Sequence, residues 1–293
     1  MKSPIHAYDR AVIGGDMRQV YLAEELSQLK KQVCHYALCE EPREGHRTES
    51  LFHACQAAPV IICPIPFSKN GDDLNQSASA QALPIEQLLS HLSPGQTLFA
   101  GCIPKSFRGL AEEKGVRVHD LMEDVQLALF NTLATAEGAI CEAIKRSPVN
   151  LHHSACAVLG YGKCGRTLAA YLKGMFCSVH VYSDQPGECA QAALAADQTG
   201  DLEAFDVQVK AFDFVFNTIP APVLGEETLR KMKQSVTIID IASAPGGVDF
   251  VAAQEQGLDA VLCPGLPGKY APSSSAGAIK EVIEKVLYRR SEE

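Results

Sequence analysis

Short apolar runs alternate with amphipathic helical patterns along the whole chain, and polar or glycine-containing turns separate them. This alternation is typical of parallel β-sheets whose strands are joined by crossover helices. The apolar runs fall into two series. The first predicts strands near residues 11–13, 33–38, 60–63, 97–100 and 116–118, and the second predicts strands near residues 155–159, 178–182, 214–218, 237–240 and 260–263.

A continuous helical pattern separates the two series. It runs from about residue 124 to residue 146 and ends at Ser147-Pro148, because the position before a proline disfavours the α conformation. The sequence therefore predicts an α/β protein with two doubly wound parallel-sheet lobes. Residues 1–147 are predicted to form a flavodoxin-like substrate and partner domain that includes the connecting helix, with a last helix at 276–293 packing back on it. Residues 148–275 are predicted to form a Rossmann dinucleotide-binding domain.

A glycine-rich motif follows the first strand of the second series. The segment Gly160-Tyr161-Gly162-Lys163-Cys164-Gly165 matches G-x-G-x-x-G. In this motif the first glycine allows a tight turn, the second lets the backbone approach a pyrophosphate, and the third lets the next helix pack closely. The free N–H groups and the dipole of that helix favour the phosphates. An ordinary strand-to-helix turn is the alternative, but the strand before the motif, the helix after it and a second strand all favour a dinucleotide site.

The residues at the end of that second strand bear on the choice between NAD and NADP. A carboxylate there accepts hydrogen bonds from the ribose 2′-OH and repels a 2′-phosphate. Tyr182 and Ser183 end the strand in this chain, and Asp184 follows at once. Asp184 could rotate in to serve NAD, while no arginine or lysine stands there to bind a 2′-phosphate. These residues leave the choice of cofactor open.

Two further strand ends are predicted to line the cofactor, since ligands bind beyond the carboxyl ends of the strands in doubly wound sheets. A proline-terminated turn is the alternative for the first of them. The residues concerned are Asn217, Thr218, Ile219 and Pro220 after the third strand of the second series, and Ile241, Ala242 and Ser243 after the fourth.

Polar side chains elsewhere are candidates for an acidic substrate, although each alone is more typical of a solvated surface. Gly14-Gly15 lacks a third glycine at the motif spacing, so we interpret it as the edge of a substrate cleft, and residues 71–82 are predicted to be a mobile loop near it. The run at 264–277 is predicted to be a rigid loop that ends in hydroxyl groups just before a helix. These hydroxyls could bind a carboxylate of the substrate, or they could simply cap the helix. The candidates are Asp16, Arg18 and Lys69 in the first lobe, Asn131 and Glu137 on the connector, and Lys269, Ser273, Ser274 and Ser275 in that run.

Composition excludes several classes of function. A formal net charge of −9 argues against a nucleic-acid partner. The first residues lack the apolar core of a signal peptide and no membrane span is apparent, so we expect a cytoplasmic protein. Eleven cysteines are scattered without C-x-x-C pairs, which predicts reduced core thiols, no disulfides and no bound metal.

Four motifs together are more distinctive than the glycine fingerprint. They are Val12-Ile13-Gly14-Gly15-Asp16-x-Arg18-Gln19, Thr135-Ala136-Glu137-Gly138-Ala139-Ile140, the glycine-rich motif with the preceding Leu159, and Leu266-Pro267-Gly268-Lys269-Tyr270-Ala271-Pro272 with Ala276-Gly277. By these motifs the chain resembles the family of dipicolinate synthase A subunits from spore-forming bacteria. The resemblance spans nearly the whole sequence.

The resemblance implies a function. It implies oxidation of dihydrodipicolinate to dipicolinate (pyridine-2,6-dicarboxylate) during sporulation, on a branch of lysine biosynthesis in the mother-cell cytoplasm, with a flavoprotein-like B subunit as partner. It also implies NADP as hydride acceptor, although the family carries Arg-Ser where this chain has Tyr182-Ser183. Within that function, Arg18, Lys69, Lys269 and residues 273–275 would bind the two carboxylates, and Asp16 or Glu137 could serve as a base if one is needed.

Two other classes of function stay open. A dehydrogenase of 2-hydroxy or 2-amino acids has a similar two-lobed plan, but hydroxyacid dehydrogenases use a glutamate-paired histidine late in the nucleotide domain, and no histidine follows His180 here. A nucleotide-binding scaffold subunit that activates a separate enzyme is the other. The long connector and the apolar last helix favour a homodimer.

Overall fold

The computed structural model describes residues 6–77 and 82–291. Residues 78–81, which belong to the predicted mobile loop, lie outside the described residues, as do residues 1–5 and 292–293. Contacts divide the chain into two units. The first unit contains the chain up to Phe130 and again from Ala271, and the second contains Asn131–Tyr270. The division after Phe130 falls inside the connecting helix, whereas the sequence places the domain boundary at its end.

The first unit holds, among its described residues, a six-stranded sheet with helices on both faces. Its strands are β1 (Arg10–Ile13), β2 (Val33–Tyr36), β3 (His46–Arg47), β4 (Val60–Ile62), β5 (Thr97–Ala100) and β6 (Arg117–Asp120). Its helices are α1 (Met17–Gln28), α2 (Leu51–Ala57), α3 (Ile85–His91) and α4 (Lys105–Glu113), followed by a 3-10 turn at Leu121–Glu123 and the start of α5 (Val125–Arg146).

The strand order of this sheet is β3-β2-β1-β4-β5-β6, and every pairing is parallel. Without the two-residue edge strand β3, the order is the flavodoxin-like one, with a reversal between β1 and β4. This reversal is the switch point at which ligands bind in such sheets.

The second unit holds another six-stranded sheet among its described residues. Its strands are β7 (Ala155–Leu159), β8 (Ser178–Tyr182), β9 (Gln198–Gly200), β10 (Phe214–Asn217), β11 (Thr237–Asp240) and β12 (Asp259–Leu262). Its helices after α5 are α6 (Lys163–Gly174), α7 (Pro186–Ala192), α8 (Leu202–Gln208), α9 (Glu226–Lys231), α10 (Phe250–Glu255) and α11 (Leu266–Tyr270), with a 3-10 turn at Val209–Ala211.

The order of the second sheet is β12-β11-β10-β7-β8-β9, again with parallel pairing throughout. This is the Rossmann order, with its switch point between β7 and β10. The predicted fold class, two doubly wound parallel-sheet lobes of which the second is a Rossmann domain, is confirmed.

Both faces of the second sheet are covered at its centre, which explains why the central strands β7 and β10 are mostly continuous apolar runs rather than alternating ones. In β10, for example, Phe214 and Phe216 belong to the core on one face, while Val215 belongs to the core on the other. All three are fully buried. The side chains of these three residues therefore alternate between two apolar layers, which is why all three are apolar.

The run rich in proline, glycine and serine at 264–277 differs from its prediction. It is helical, not a rigid loop: α11 occupies Leu266–Tyr270, and the last helix α12 (Pro272–Ser291) begins four residues before the predicted start at 276. Proline at the first helical position explains this start, because its fixed φ suits a helix and its missing N–H is not needed there. Ser273, Ser274 and Ser275 therefore lie inside the first turn of α12.

Two long helices complete the units. α5 is long and apolar enough to cross a membrane by length and composition, but 61% of its most apolar window is buried, as in the core helix of a globular protein. α12 belongs to the first unit, where Ala276, Ile279 and Ile283 are buried in one core with Leu22 and Leu26 of α1. The first unit is thus formed by two segments of the chain, one before and one after the second unit in the sequence.

We expect the packing of α12 to stabilise the first unit alone. Ile283 is fully buried, so Ile283→Ala should cost roughly 2–5 kcal/mol through lost apolar burial and a residual cavity. Hydrogen exchange followed by mass spectrometry should then accelerate in peptides from α1 and β1, and stay unchanged in β7 and β10.

The control is Glu281→Ala, which removes an exposed side chain of the same helix and should leave both units as in the wild type. Faster exchange in β7 and β10 of the Ile283→Ala variant would contradict the assignment of α12 to the first unit.

Candidate dinucleotide site

A cavity of about 660 Å³ opens at the switch point of the second sheet. This volume lies in the range of sites for cofactors and small molecules. The loops after β7, β8 and β10 form it, which places it at the carboxyl ends of the strands. Its lining includes Gly160, Gly162, Ser183, Asp184, Gln185, Glu188, Leu202 and residues 218–223.

The glycines of the motif fit the roles that the sequence predicts for them. Gly160 has φ +86°, and a Cβ there would lie 2.5 Å from Thr218 Oγ1. A Cβ on Gly165 would collide with the carbonyl oxygen of Gly160. By contrast, a Cβ on Gly162 would meet nothing closer than a Glu188 oxygen at 3.8 Å. Gly160 and Gly165 are thus required by the protein itself, whereas the space over Gly162 is left to a ligand.

The N-terminus of α6 faces this cavity through Gly162, which is its N-cap residue. Glycine has no side chain to accept the first N–H groups of the helix, so these groups can bind an anion. Lys163, Cys164 and Gly165 form the first turn of α6, and Gly165 packs against the Gly160 carbonyl. The residues present therefore fit the pyrophosphate of a dinucleotide.

Glu188 is a site residue that the sequence interpretation missed. It lies in α7, five residues beyond Ser183, and its Oε2 accepts hydrogen bonds from Tyr161 N at 2.8 Å and from Ser183 Oγ at 2.7 Å. Asp184 also lines the cavity, and its Oδ1 accepts a hydrogen bond from Leu202 N at 3.1 Å. The carboxylate sought at the end of β8 is therefore supplied from the next helix as well.

Tyr182, predicted to contact the cofactor, is instead a core residue. Its side chain is 1% exposed and packs against the rings of Phe205 and Phe212, with centroids 5.3 and 5.9 Å away. Burial raises the pKa of its hydroxyl to about 12. Because residues alternate along a strand, the side chain of Tyr182 lies in the core while Ser183 reaches the cavity.

A buried polar pair shapes the loops on the other side of the cavity. Asn217 and Asp240 are both fully buried, and Asn217 Nδ2 donates to Asp240 Oδ1 at 3.0 Å and to the Ile219 carbonyl at 3.1 Å. Asp240 also accepts from the backbone N–H groups of Ala242 at 2.9 Å and Gly247 at 2.7 Å. Asn217 was predicted to contact the cofactor, but its side chain instead fixes the loops after β10 and β11.

The remaining predicted cofactor contacts follow these two strands. Thr218, Ile219 and Pro220 line the cavity, and Thr218 Oγ1 donates to the Leu159 carbonyl at 2.8 Å, which ties the wall to β7. Ile241, Ala242 and Ser243 belong to the loop that Asp240 holds, with Ala242 buried and Ser243 exposed.

In the first unit, the candidates Asp16 and Arg18 form a pair beside the switch point. Asp16 caps α1, and its carboxylate accepts hydrogen bonds from Arg18 Nε at 2.9 Å and Nη2 at 2.8 Å. The Arg18 guanidinium is buried and also donates to the Ile65 carbonyl. Each charge is thus already compensated by the other, so Arg18 is a fixed donor rather than a mobile cation. Lys69 is exposed.

In the second unit, Lys269 is held by Glu142 of α5. Lys269 Nζ and the Tyr270 hydroxyl both donate to Glu142 Oε1. The hydrogen bond from Lys269, with a second from Tyr270, lowers the pKa of Glu142, and the same bond raises the pKa of Lys269. A lysine stabilised in its charged form is suited to binding an anion and is poorly suited to acting as a base.

The other candidates lie in varied surroundings. Glu137 accepts a hydrogen bond from the Tyr171 hydroxyl at 3.2 Å, and Asn131 is largely buried. Ser275 is fully buried and so does not offer an exposed hydroxyl, whereas Ser273 and Ser274 are exposed. That candidates from the two units meet at one substrate stays a prediction.

The eleven cysteines are unbridged. Burial raises the pKa of Cys34 and of Cys55 to about 12, which keeps these thiols protonated and unreactive. Within residues 6–77 and 82–291, no group of three or more His, Cys, Asp or Glu side chains could hold a metal ion.

The glycine geometry predicts that folding and ligand binding can be separated. Gly165→Ala should lower the midpoint of thermal unfolding, because its Cβ has no room beside the Gly160 carbonyl, at a cost of roughly 1–3 kcal/mol. Gly162→Ala should cost less than about 1 kcal/mol, the usual effect at an N-cap, yet weaken dinucleotide binding in a fluorescence titration. Equal destabilisation by both substitutions would contradict these roles.

The Glu142–Lys269 pair predicts a pH dependence of stability. Folding lowers the pKa of the Glu142 carboxyl, whose ordinary pKa is 4.5. Such a carboxyl stabilises the folded protein fully at pH values above its ordinary pKa, and this stabilisation is lost as the pH falls through the lowered pKa. Glu142→Gln should therefore lower the thermal midpoint by a few degrees at pH 7, and the gap to the wild type should close below pH 4.5. Glu255→Gln, at an exposed position of α10, is the control and should show no such gap.

Comparisons with known proteins agree with the division of the chain into two units. Residues 9–122 match the family model for the N-terminal domain of the dipicolinate synthase A subunit, and residues 129–248 match that of the D-isomer specific 2-hydroxyacid dehydrogenase NAD binding domain. A dehydrogenase-type domain of this kind binds a nicotinamide dinucleotide, as the cavity and its glycines indicate. The chain is thus similar to oxidoreductases.

Whole-chain relatives are found as well. The dipicolinate synthase A subunit of Bacillus subtilis (strain 168) is 28% identical over 286 residues, which cover 94% of this chain and 95% of that one. The crystal structure of the corresponding protein from Bacillus halodurans has 25% identity and a TM-score of 0.82, over 97% of this chain and 99% of that one. The crystal structure of the Bacillus subtilis protein has 26% identity and a TM-score of 0.81, over 99% of each chain. With its N-terminal domain matched by the model of this family and 94% of its length matched by a dipicolinate synthase A subunit, this protein belongs to the family of dipicolinate synthase A subunits.

Proposed function

We propose that this protein oxidises dihydrodipicolinate to dipicolinate with a nicotinamide dinucleotide as hydride acceptor. The observation that carries the proposal is the glycine-lined cavity at the β7/β10 switch point, in a chain that matches dipicolinate synthase A subunits along 94% of its length. The family match supports the substrate, and the cavity supports the redox chemistry.

The chemistry asks for positioning more than for activation. A hydride leaves a ring carbon of the dihydropyridine, a proton leaves with it, and the ring becomes aromatic, which provides the driving force. Bound nicotinamide would supply the hydride acceptor. The protein must align the two rings, since alignment of the reactants is a large part of such a rate enhancement.

Several described residues are suited to that alignment. The N-terminus of α6 would hold the pyrophosphate, residues 218–223 would form the wall beside the nicotinamide ribose, and the Asn217–Asp240 pair would fix that wall. Because aromatisation needs little help, we assign no dedicated base. Asp16 and Glu137 already accept hydrogen bonds from Arg18 and Tyr171.

The dianionic substrate explains the cations that the sequence singles out. We propose that Arg18, Lys69 and Lys269 bind its two carboxylates, with help from Ser273 and Ser274. Arg18 is preoriented by Asp16 and the Ile65 carbonyl, and Lys269 is kept charged by Glu142. A fixed cation loses little conformational freedom on binding, which favours this use.

The family resemblance also supports a biological setting. We propose that the protein works with a dipicolinate synthase B subunit in the cytoplasm of the mother cell of a sporulating bacterium, and that it forms a homodimer. The resemblance suggests NADP as cofactor, whereas the acidic residues around the cavity favour NAD.

The alternative of a 2-hydroxyacid dehydrogenase has one observation in its favour, the domain match at residues 129–248. The sequence speaks against it, because no histidine follows His180 and such enzymes need one as their acid–base group. A scaffold subunit that binds nucleotide without turnover is the other alternative.

The proposal is tested with the purified chain, freshly generated dihydrodipicolinate and either NAD or NADP, by following absorbance of the reduced nicotinamide. We expect reduction of the dinucleotide with equimolar dipicolinate formation, and its loss in Gly162→Asp, whose carboxylate would occupy the pyrophosphate position. Nucleotide binding without turnover until a B subunit is added would favour the scaffold. Turnover of 2-hydroxy acids but not of dihydrodipicolinate would favour the alternative enzyme.

A further inference from the structure

The last residue of β8 and the residue after it, the positions that normally select between NAD and NADP, carry no carboxylate in this chain, and the nearby Asp184 already accepts a hydrogen bond from Leu202 N. β8 ends with Tyr182, whose side chain is buried in the core, and Ser183 follows. The carboxylate of Glu188, from the first turn of α7, reaches the same place. We infer that Glu188 selects the cofactor, and that it does so in favour of NAD.

The position of Glu188 is fixed by the two loops between which the adenosine ribose of a dinucleotide lies. Its Oε2 accepts from Tyr161 N, inside the glycine-rich turn, and from Ser183 Oγ, at the end of β8. Gln185 N donates to that same hydroxyl at 3.2 Å. Ser183 thus donates its single hydroxyl proton in a hydrogen bond to Glu188 and acts as a positioning residue for that carboxylate.

One oxygen of Glu188 is placed for a ligand. Both hydrogen bonds go to Oε2, while Oε1 lies 3.8 Å from where a Cβ on Gly162 would be. A carboxylate has about four lone-pair sites, so Oε1 can accept a hydrogen bond from a ribose 2′-OH. Such a charge-assisted bond is shorter and stronger than one to a neutral acceptor.

The charge around the cavity works in the same direction. Among the described lining residues, the charged ones are Asp184 and Glu188, both acidic. A 2′-phosphate at this place would carry about two negative charges, which the carboxylates of Asp184 and Glu188 would repel. Recognition of NADP uses an arginine for that phosphate, but the nearby Arg166 donates its Nε to the Tyr161 carbonyl at 2.8 Å and lies over the Tyr161 ring.

This inference rests on the dinucleotide-binding part of the proposed function and is independent of the substrate. It also assigns Ser183 a role different from the one that the family resemblance suggests. A serine at this position accompanies an arginine in the family pattern, whereas here it orients a carboxylate.

The test is a fluorescence titration of the full-length protein with NADH and with NADPH, which needs no substrate and no turnover. We expect the wild type to bind NADH roughly 10- to 100-fold more tightly, the range that one charge-assisted hydrogen bond is worth. In Glu188→Gln the shape of the side chain is kept and the charge removed, so the preference should fall to within a few-fold, with NADPH binding more tightly than before.

Two matched variants sharpen the test. Asp184→Asn removes the other carboxylate of the cavity and should leave most of the NADH preference, and Glu203→Gln removes an exposed charge of α8 and should leave all of it. Circular dichroism spectra check that each variant is folded. The preference of the wild type for NADH over NADPH is measured without any variant, so it does not depend on this check.

Several results would overturn the inference. A wild type that prefers NADPH, or a preference unchanged in folded Glu188→Gln, would do so, and a preference abolished by Asp184→Asn alone would assign selection to Asp184. A folded wild type that binds neither nucleotide would overturn the dinucleotide part of the proposed function along with it. Tight binding without turnover affects only the proposed reaction.

Discussion

The close approach of two backbone segments, at Gly160 and Gly165, is the constraint on which the second unit depends. The turn after β7 and the first turn of α6 meet where a single Cβ on Gly165 would strike the Gly160 carbonyl. This contact brings the start of α6 against the end of the strand, so that its free N–H groups open into the cavity. The position of the proposed pyrophosphate site follows from the absence of two side chains rather than from the presence of any.

The far wall of the cavity is held by polar groups inside the apolar core. Asn217 and Asp240 are fully buried, which costs free energy unless every hydrogen bond is made. Here the amide of Asn217, its oxygen and both carboxylate oxygens of Asp240 are engaged with each other or with the backbone of the two loops. A network of this kind tolerates little displacement, so the wall is rigid. Rigid positioning is what a hydride transfer between two rings requires.

Much of this architecture could be predicted from the sequence, because parallel sheets impose continuous apolar runs and glycine-rich turns impose a spacing. Ten of the twelve described strands, the connecting helix, the glycine motif and the cavity loops after β8 and β10 follow from such local rules, whereas the short edge strands β3 and β9 do not. The helix α11 and the early start of α12 could not be inferred in this way, since proline and glycine there signal a loop unless tertiary packing is known. Glu188 was missed for a similar reason: only the chain reversal between Asp184 and Pro186 brings it back to the strand end.

The side-chain roles of Asn217 and Tyr182 also needed the structure. Both stand at strand ends, where the sequence favours contact with a cofactor, yet both side chains are buried. The pleat decides which of two adjacent residues faces the core, and a shift of one residue exchanges them. A strand end can therefore be located from the sequence more reliably than the residue that faces the ligand.

The discontinuous path of the first unit has a consequence for synthesis on the ribosome. Its core is closed by α12, which the chain supplies only after the whole of the second unit. The second unit is continuous and can fold as soon as it has emerged, as domains generally do during translation. The first unit must wait with Leu22 and Leu26 uncovered, so the part that is translated first is the part that is completed last.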